Sequence, residues 1–327
     1  MLRLRLSLAD VAGLRFAFSP LWEIVAGVRV LNDPAAHALH LPWVRSARAR
    51  LKECGAEVPL LRALVPAPPH VLPGFLAPTP LTPLPSFDAE LAALAGTDPE
   101  LCRDDLRRVF GGLDGPPAEF DHAPGAALRT LVAQVRTYHD VVLAPDWPKI
   151  RALLEGDIMY RGRRLVQGGV AGLFADLDPS IGWHDDRVTI SGTVASADHD
   201  LGERGLVLVP SAFTWPRVFV KAAPPWVPVV RYPARGMAEL WAAPRAAPDG
   251  LSRVVGRSRA RLLAELDAPA STTELARRTG LAAGGVSAHL SRLRAAGLVT
   301  SHRAGAVVLY ARTSLGDALL RPGAGQS

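Results

Sequence analysis

The chain has 327 residues, 49% hydrophobic and 21% charged, which suits about two globular domains with sizeable cores and excludes a disordered chain. The net charge is +6, and only Lys52, Lys149 and Lys221 of the 37 basic residues are lysines; with 29 glycines and 29 prolines, this bias speaks of GC-rich coding rather than of function. Two cysteines, Cys54 and Cys102, exclude a disulfide-built scaffold and an all-cysteine zinc site.

The opening MLRLRLSLADVAGLRF is interrupted by Asp10 and Arg15 and is not read as a signal peptide. Ser19-Pro20 predicts a helix start, a cap followed by proline at the first helical position, and LWEIVAGVRVL continues it. A second helix is expected over about 41–54, with Arg45, Arg48, Arg50 and Lys52 on a solvated face. The longest uncharged run, Ala63 to Phe87, is long enough to cross a bilayer. Its eight prolines forbid a continuous helix, so it reads as a long surface crossing. No membrane span is expected, and a cytoplasmic location is the default. Further helices are expected at Asp88–Ala95, at Asp98–Phe110 with Asp98 as cap, at Ala126–Leu143 and within 146–177, where Gly168-Gly169 is a weak point.

From 179 to 242 the period changes. RVTISGTVAS alternates, GLVLVPS reads as a short buried strand, and RVFVKA and VPVVRY read as two more. A small antiparallel sheet with long connections is expected. Trp183, Trp215, Trp226 and Trp241 recur here, as core residues or as the wall of an aromatic-lined ligand pocket. The sequence has no GxGxxG, P-loop, HExxH or GxSxG motif. Asp198-His199-Asp200 offers metal-ligand chemistry, but consecutive residues rarely converge on one ion, and the stretch reads as a solvated loop. His37 and His40 read as boundary residues. No catalytic residue, cofactor or metal ligand is assigned, and the chain is not read as an enzyme.

The proline-rich APRAAPDG, Ala243 to Gly250, reads as a linker between domains at 1–242 and 251–321. Residues 251–327 hold eleven arginines and four acids, a net +7, which leaves −1 for residues 1–250. A basic terminal module on a neutral body is the electrostatic footprint of nucleic-acid binding. One amphipathic helix is expected from about Leu251 to Leu266, with Val254, Val255, Leu262, Leu263 and Leu266 as core candidates. Ser271-Thr-Thr-Glu274 fits a capping box, and Gly280 suits the left-handed position that closes the short helix TTELARRT. A turn then leads into GGVSAHLSRLRAAG, and two helices across a tight turn make a helix-turn-helix.

At 100° per residue, Val286, Leu290 and Leu293 share the face that must be buried. Gly284, Ala288, Ser291, Arg292 and Ala295 lie opposite, with Ser287 and His289 at the flanks. Such a small, polar face suits entry into a major groove. Leu298–Arg303 and Val307–Arg312 alternate around Ala304-Gly305-Ala306 and read as a hairpin, which completes a winged helix; a last short helix begins near Thr313. Thr272, Thr273, Arg277, Arg278, Gly284, Gly285, Ser287, Ala288, His289, Ser291, Arg292, Arg294 and Arg303 are the candidate DNA contacts, with Arg303 on the wing.

The run Val286-Ser287-x-His289-Leu290-x-x-Leu293-x-x-Ala296-Gly297-Leu298-Val299, with a wing ending in Leu309-Tyr310, resembles the ArsR-type winged-helix transcriptional regulators. Thr272-Thr273-Glu274-Leu275-Ala276 is similar to that family's first tri-helical element. SPLWE near the start, LVLVPSAFTWPRV at 206–218 and Tyr232-Pro-Ala-Arg-Gly236 resemble an N-terminal domain of unknown function fused to such modules in actinobacterial regulators. Two departures stand out. Recognition helices of the family open on Ser, Gln or Thr, whereas this one opens Ala282-Ala283-Gly284-Gly285, and the lost cap costs about 1 kcal/mol. Metal-sensing relatives carry cysteines where this chain has Ser271–Ala276, so the resemblance implies a member that does not sense metal.

The fold class expected is therefore α+β: a large, mainly helical N-terminal domain with a small antiparallel sheet, then a C-terminal winged helix-turn-helix. The function expected is a transcriptional repressor that binds double-stranded DNA as a homodimer, under control of a ligand or partner at the N-terminal domain. Two rivals belong to other classes: an enzyme carrying a DNA-binding module, which needs a catalytic pocket, and a scaffold whose large domain only dimerises.

Overall fold

The computed structural model describes residues 1–66, 71–111, 117–192, 197–224, 226–237, 240–241, 249–266, 269–304 and 307–320. The expected linker falls largely outside them, as does Gly305-Ala306 of the hairpin turn. The chain divides into two compact units, 1–148 with 157–234 and 149–156 with 235–327.

In the first unit the strands are β1 (Leu2–Arg5), β2 (Arg15–Phe16), β3 (Ile181–His184), β4 (Arg187–Ile190), β5 (Ala197–Asp200), β6 (Val207–Ser211), β7 (Phe219–Lys221) and β8 (Val229–Pro233). Its helices are α1 (Leu8–Ala12), α2 (Pro20–Asn32), α3 (Leu41–Glu53), α4 (Pro59–Ala63), α5 (Phe87–Ala95), α6 (Pro99–Phe110), α7 (Ala118–His122) and α8 (Pro124–Tyr138). The helix α9 (Trp147–Phe174) bends at Gly169, the expected weak point, and its residues 149–156 group with the second unit.

The α+β class holds, and the strands form two four-stranded sheets, ordered β3-β4-β1-β5 and β2-β6-β8-β7. Antiparallel pairs join β3 to β4, β4 to β1 and β7 to β8, but β1–β5, β2–β6 and β6–β8 are parallel, so both sheets are mixed. The N-terminal strands complete them. Leu2, Leu4 and Leu6 point inward while Arg3 and Arg5 stay exposed, the period-two pattern of a half-buried strand. Between the sheets and the end of α9, Leu4, Phe174, Val188, Ile190, Leu208 and Val230 form a core. The whole of α2 from Pro20 to Leu31 is buried, and Ser19 caps it by accepting from the Trp22 amide.

Two expectations change in this unit. The proline-rich stretch is not simply a surface crossing, because Phe75, Leu76 and Ala77 are buried. A short 3-10 turn, Gly74–Leu76, tucks them in, and the Phe75 amide donates to Asp105. Asp198-His199-Asp200 is strand β5 rather than a loop, and Arg3 pairs with Asp198 at 3.5 Å. His37 does sit between two short 3-10 turns and His40 ends the second, ahead of α3, but both residues are buried, with His37 Nδ1 2.9 Å from the Trp215 carbonyl oxygen. No helix among the described residues is long and apolar enough to cross a membrane.

The second unit holds α10 (Asp249–Val255), α11 (Arg257–Ala264), β9 (Ala270–Ser271), α12 (Thr272–Thr279), α13 (Ala283–Ala295), β10 (Val299–Ala304), β11 (Val307–Arg312) and α14 (Ser314–Leu320). The single helix expected from Leu251 to Leu266 is two. Gly256 adopts φ 87°, a conformation that side chains disfavour, and the chain turns there. Val254 is consequently exposed rather than core, while Leu262, Leu263 and Leu266 are buried as expected. The sheet is ordered β10-β11-β9, antiparallel throughout. Leu263, Leu275, Val286, Leu290, Leu293 and Val299 form one core beneath the helices and the hairpin.

Candidate nucleic-acid interface

The frame of α12 comes first. Ser271 caps it by accepting from the Glu274 amide at 3.2 Å, and Gly280 ends it with φ 68°. The reciprocal half of the expected capping box does not form. The Glu274 carboxylate instead accepts from Arg277 at 2.7 and 3.2 Å and from Arg278 at 2.7 Å, since two guanidiniums outweigh one backbone amide. Burial works to raise the Glu274 carboxyl, but hydrogen bonds and charge from these two arginines hold it below the ordinary carboxylate value.

This pairing separates the two arginines. Arg277 is exposed even though it is paired with Glu274. Arg278 is half-buried and also approaches the Glu265 carbonyl at 3.4 Å, so it acts as a brace between α12 and the end of α11. Thr273 is exposed in the first turn and Thr272 half-buried.

On α13 the buried stripe is as the helical period demands, with Val286 and Leu290 fully buried and Leu293 nearly so. Gly284, Gly285, Ser287, Ala288, Ser291, Arg292, Arg294 and Ala295 are exposed, and His289 is half-buried with Nδ1 lacking a hydrogen-bond partner. An added Cβ at Gly284 or Gly285 would meet nothing within 4 Å, so the first turn is an open, low surface. Ala282 precedes the helix without a side-chain cap, which leaves the first-turn amides to solvent or to an incoming acceptor. No carboxylate lies on α13.

The hairpin extends this surface. Arg294 Nη1 donates to Ser301 Oγ on β10 at 3.1 Å and ties the end of α13 to that strand. Arg312 donates to the Leu263 carbonyl at 3.0 Å and to Asp317 at 2.7 Å, which anchors β11 to α11 and neutralises the one acid of α14. Arg303 is exposed and faces Val308 across the ladder, one pair before its end. Arg277, Arg292, Arg294 and Arg303 are thus the exposed arginines that α12, α13 and the hairpin contribute, with Arg277 paired to Glu274 and Arg294 to Ser301, while the half-buried Arg278 and Arg312 brace the framework. Sequence reasoning placed Arg278 and Arg294 among DNA contacts on position alone. The Glu274 spacing, three and four residues before Arg277 and Arg278, was the signal that both could pair within the helix.

Residues 257–302 match a helix-turn-helix domain, and residues 121–238 match a family of unknown function (DUF5937). Neither the curated proteins nor the solved structures gave a match to the chain. The helix-turn-helix domain supports a DNA-binding transcription regulator.

Proposed function

We propose that this protein is a transcriptional repressor of the ArsR-like, winged-helix kind, homodimeric and cytoplasmic, which senses no metal and catalyses no reaction. The observation that carries the reading is the outward face of α13, exposed and free of acid, on a unit whose α12 and hairpin also expose Arg277 and Arg303. In this reading α13 enters the major groove, and its small first turn lets the uncapped amides approach a phosphate. The hairpin is the wing and follows the duplex backbone. Two-fold pairing of such modules presents two recognition helices to half-sites about 34 Å apart. The repressor sign follows the family resemblance. The first unit supplies control, by a ligand or a partner.

The test is binding of the full chain to duplex DNA from its own upstream region, by footprinting and by affinity at several salt concentrations. Four or more neutralised phosphates should weaken binding roughly a hundredfold between 50 and 200 mM salt. A protected region with two related half-sites is the expected result. Absence of protection, or binding indifferent to salt, overturns the reading.

A further inference from the structure

The first unit contains a cavity of about 350 Å³ whose wall has an unusual charge balance. Five cations line it, Arg29, Arg108, Arg217, Lys221 and Arg231, and among the described residues no aspartate or glutamate does. Arg108 is paired with Asp105. Two others are held by groups that carry no charge. Lys221 donates to the Gly74 and Ala77 carbonyls at 3.0 and 2.8 Å, and Arg231 donates to the same Ala77 carbonyl at 2.7 Å. Each of three cations also lies over an aromatic face: Lys221 4.4 Å from the Trp226 ring, Arg231 4.5 Å from Trp22, Arg29 5.0 Å from Phe219.

Burial pushes Lys221 far down and Arg231 down to about 10, and the neighbouring Arg231 charge depresses Lys221 further. Burial likewise brings Arg29 to about 10, with Arg217 adding to the effect. The acids that act on these cations from outside the wall are Asp33 on Arg29, Asp105 on Lys221 and Glu90 on Arg231. Glu90 is itself pushed up to about 7 by burial, which makes it a weak counter-charge near neutrality. Like charges crowded in a low-dielectric wall are costly, and an anion entering the cavity relieves that cost.

The wall also limits the anion. Trp22, Phe219 and Trp226 with Val25, Leu72 and Val218 make most of it apolar, so inorganic phosphate would leave that surface unfilled. A metal cation finds no carboxylate among the described lining residues. The volume stands at the small end of ligand sites and suits one compact molecule. We propose that this cavity binds an organic acid, a carboxylate carried on an aromatic or other apolar body, with Arg231 and Lys221 facing the carboxylate and the Trp22–Phe219–Trp226 wall holding the body. Its role as effector site rests on the regulator reading above; its binding chemistry does not.

The full chain is titrated with 2-naphthoate, with neutral 2-naphthamide and with inorganic phosphate, by calorimetry and by tryptophan fluorescence. Naphthoate is expected to bind at least tenfold tighter than either comparison probe and to change the fluorescence of the wall. Lys221→Met should reduce the naphthoate affinity at least tenfold and leave naphthamide nearly unaffected. Because loss of a half-buried cation can disturb folding, the wild-type contrast between naphthoate and naphthamide decides by itself. Equal affinity for the two, phosphate binding as tight as naphthoate, or no binding at millimolar concentration overturns the proposal. A duplex titration on the same sample keeps the readings apart. DNA bound without naphthoate rejects the cavity site alone, and naphthoate bound without DNA rejects the regulator alone.

Discussion

The two units handle positive charge in opposite ways. On α12, α13 and the hairpin, Arg277, Arg292 and Arg303 are exposed; Arg277 is paired with Glu274, and α13 itself carries no acid. In the first unit Arg231 and Lys221 lie in a cavity wall, against tryptophan rings and backbone carbonyls. Exposed arginines keep their hydration and are screened by salt, so they suit a polyanion met over a broad surface. Cations withdrawn from water are screened little and discriminate among small anions by shape. Net charge alone finds only one of these two arrangements: the +7 of residues 251–327 marks the surface proposed to meet DNA, whereas the −1 of residues 1–250 hides the five cations of the cavity wall.

The hardest blow to this contrast would be to find the two behaviours inseparable. Leu290→Ala removes a fully buried side chain from beneath the exposed face of α13. It should cost the second unit about 2–5 kcal/mol and abolish DNA binding, because the face loses its support. Naphthoate binding should persist, since every residue of the cavity lies in the first unit. The check is thermal unfolding with both binding assays on the same variant. Loss of both activities would mean that the charge contrast does not mark two functional regions.

A second variant acts on the first unit. Burial pushes the Glu23 carboxyl from an ordinary 4.5 up to about 8, against hydrogen bonds from Ser211, Ala212 and Phe213 that favour its charged form; the Glu90 charge raises it further. The folded chain therefore holds a proton that the unfolded chain releases. This contribution is whole below pH 4.5 and is lost as pH rises through about 8. Gln resembles the protonated acid, so Glu23→Gln should match wild type at pH 5 and exceed it at pH 9 by on the order of 2–4 kcal/mol. Denaturant unfolding across that pH range checks it, with DNA affinity at neutral pH unchanged. Parallel stability curves would show that Glu23 is not the group that titrates.

The exposed face was legible in the sequence and the cavity was not, for a physical reason. The stripe Val286–Leu290–Leu293 follows the helical period within one short segment, and Gly280 marks the end of α12 by its own backbone preference. The cavity draws on Trp22 and Arg29 of α2, on 71–77, on Lys221 of β7 and on Arg231 of β8, which no local period connects. Lys221 and Arg231 face each other's strand in an antiparallel pair, and nothing in RVFVKA or VPVVRY announces that 74–77 folds over them. Other misses did carry a signal. LRLRL at the start alternates openly, and Gly256 interrupts the helix expected over 251–266.

The smallest effect divides the exposed cations among themselves. Arg292 stands on the outward face of α13, and arginine can bond a guanine edge through two parallel hydrogen bonds. Arg303 stands near the end of the hairpin ladder, where the duplex backbone is expected. Replacing Arg292 by Ala should therefore narrow the gap between operator and scrambled duplex by roughly 1–3 kcal/mol at one base pair. Arg303→Ala should weaken all duplexes about equally and lower the salt slope by about one unit. Neither side chain belongs to the buried stripe, so both variants should keep the wild-type melting temperature. Affinity for operator and scrambled duplexes at several salt concentrations separates the two. If Arg303→Ala erased the preference while Arg292→Ala weakened both duplexes alike, the hairpin would be the reader and α13 the element that only positions the module on the backbone.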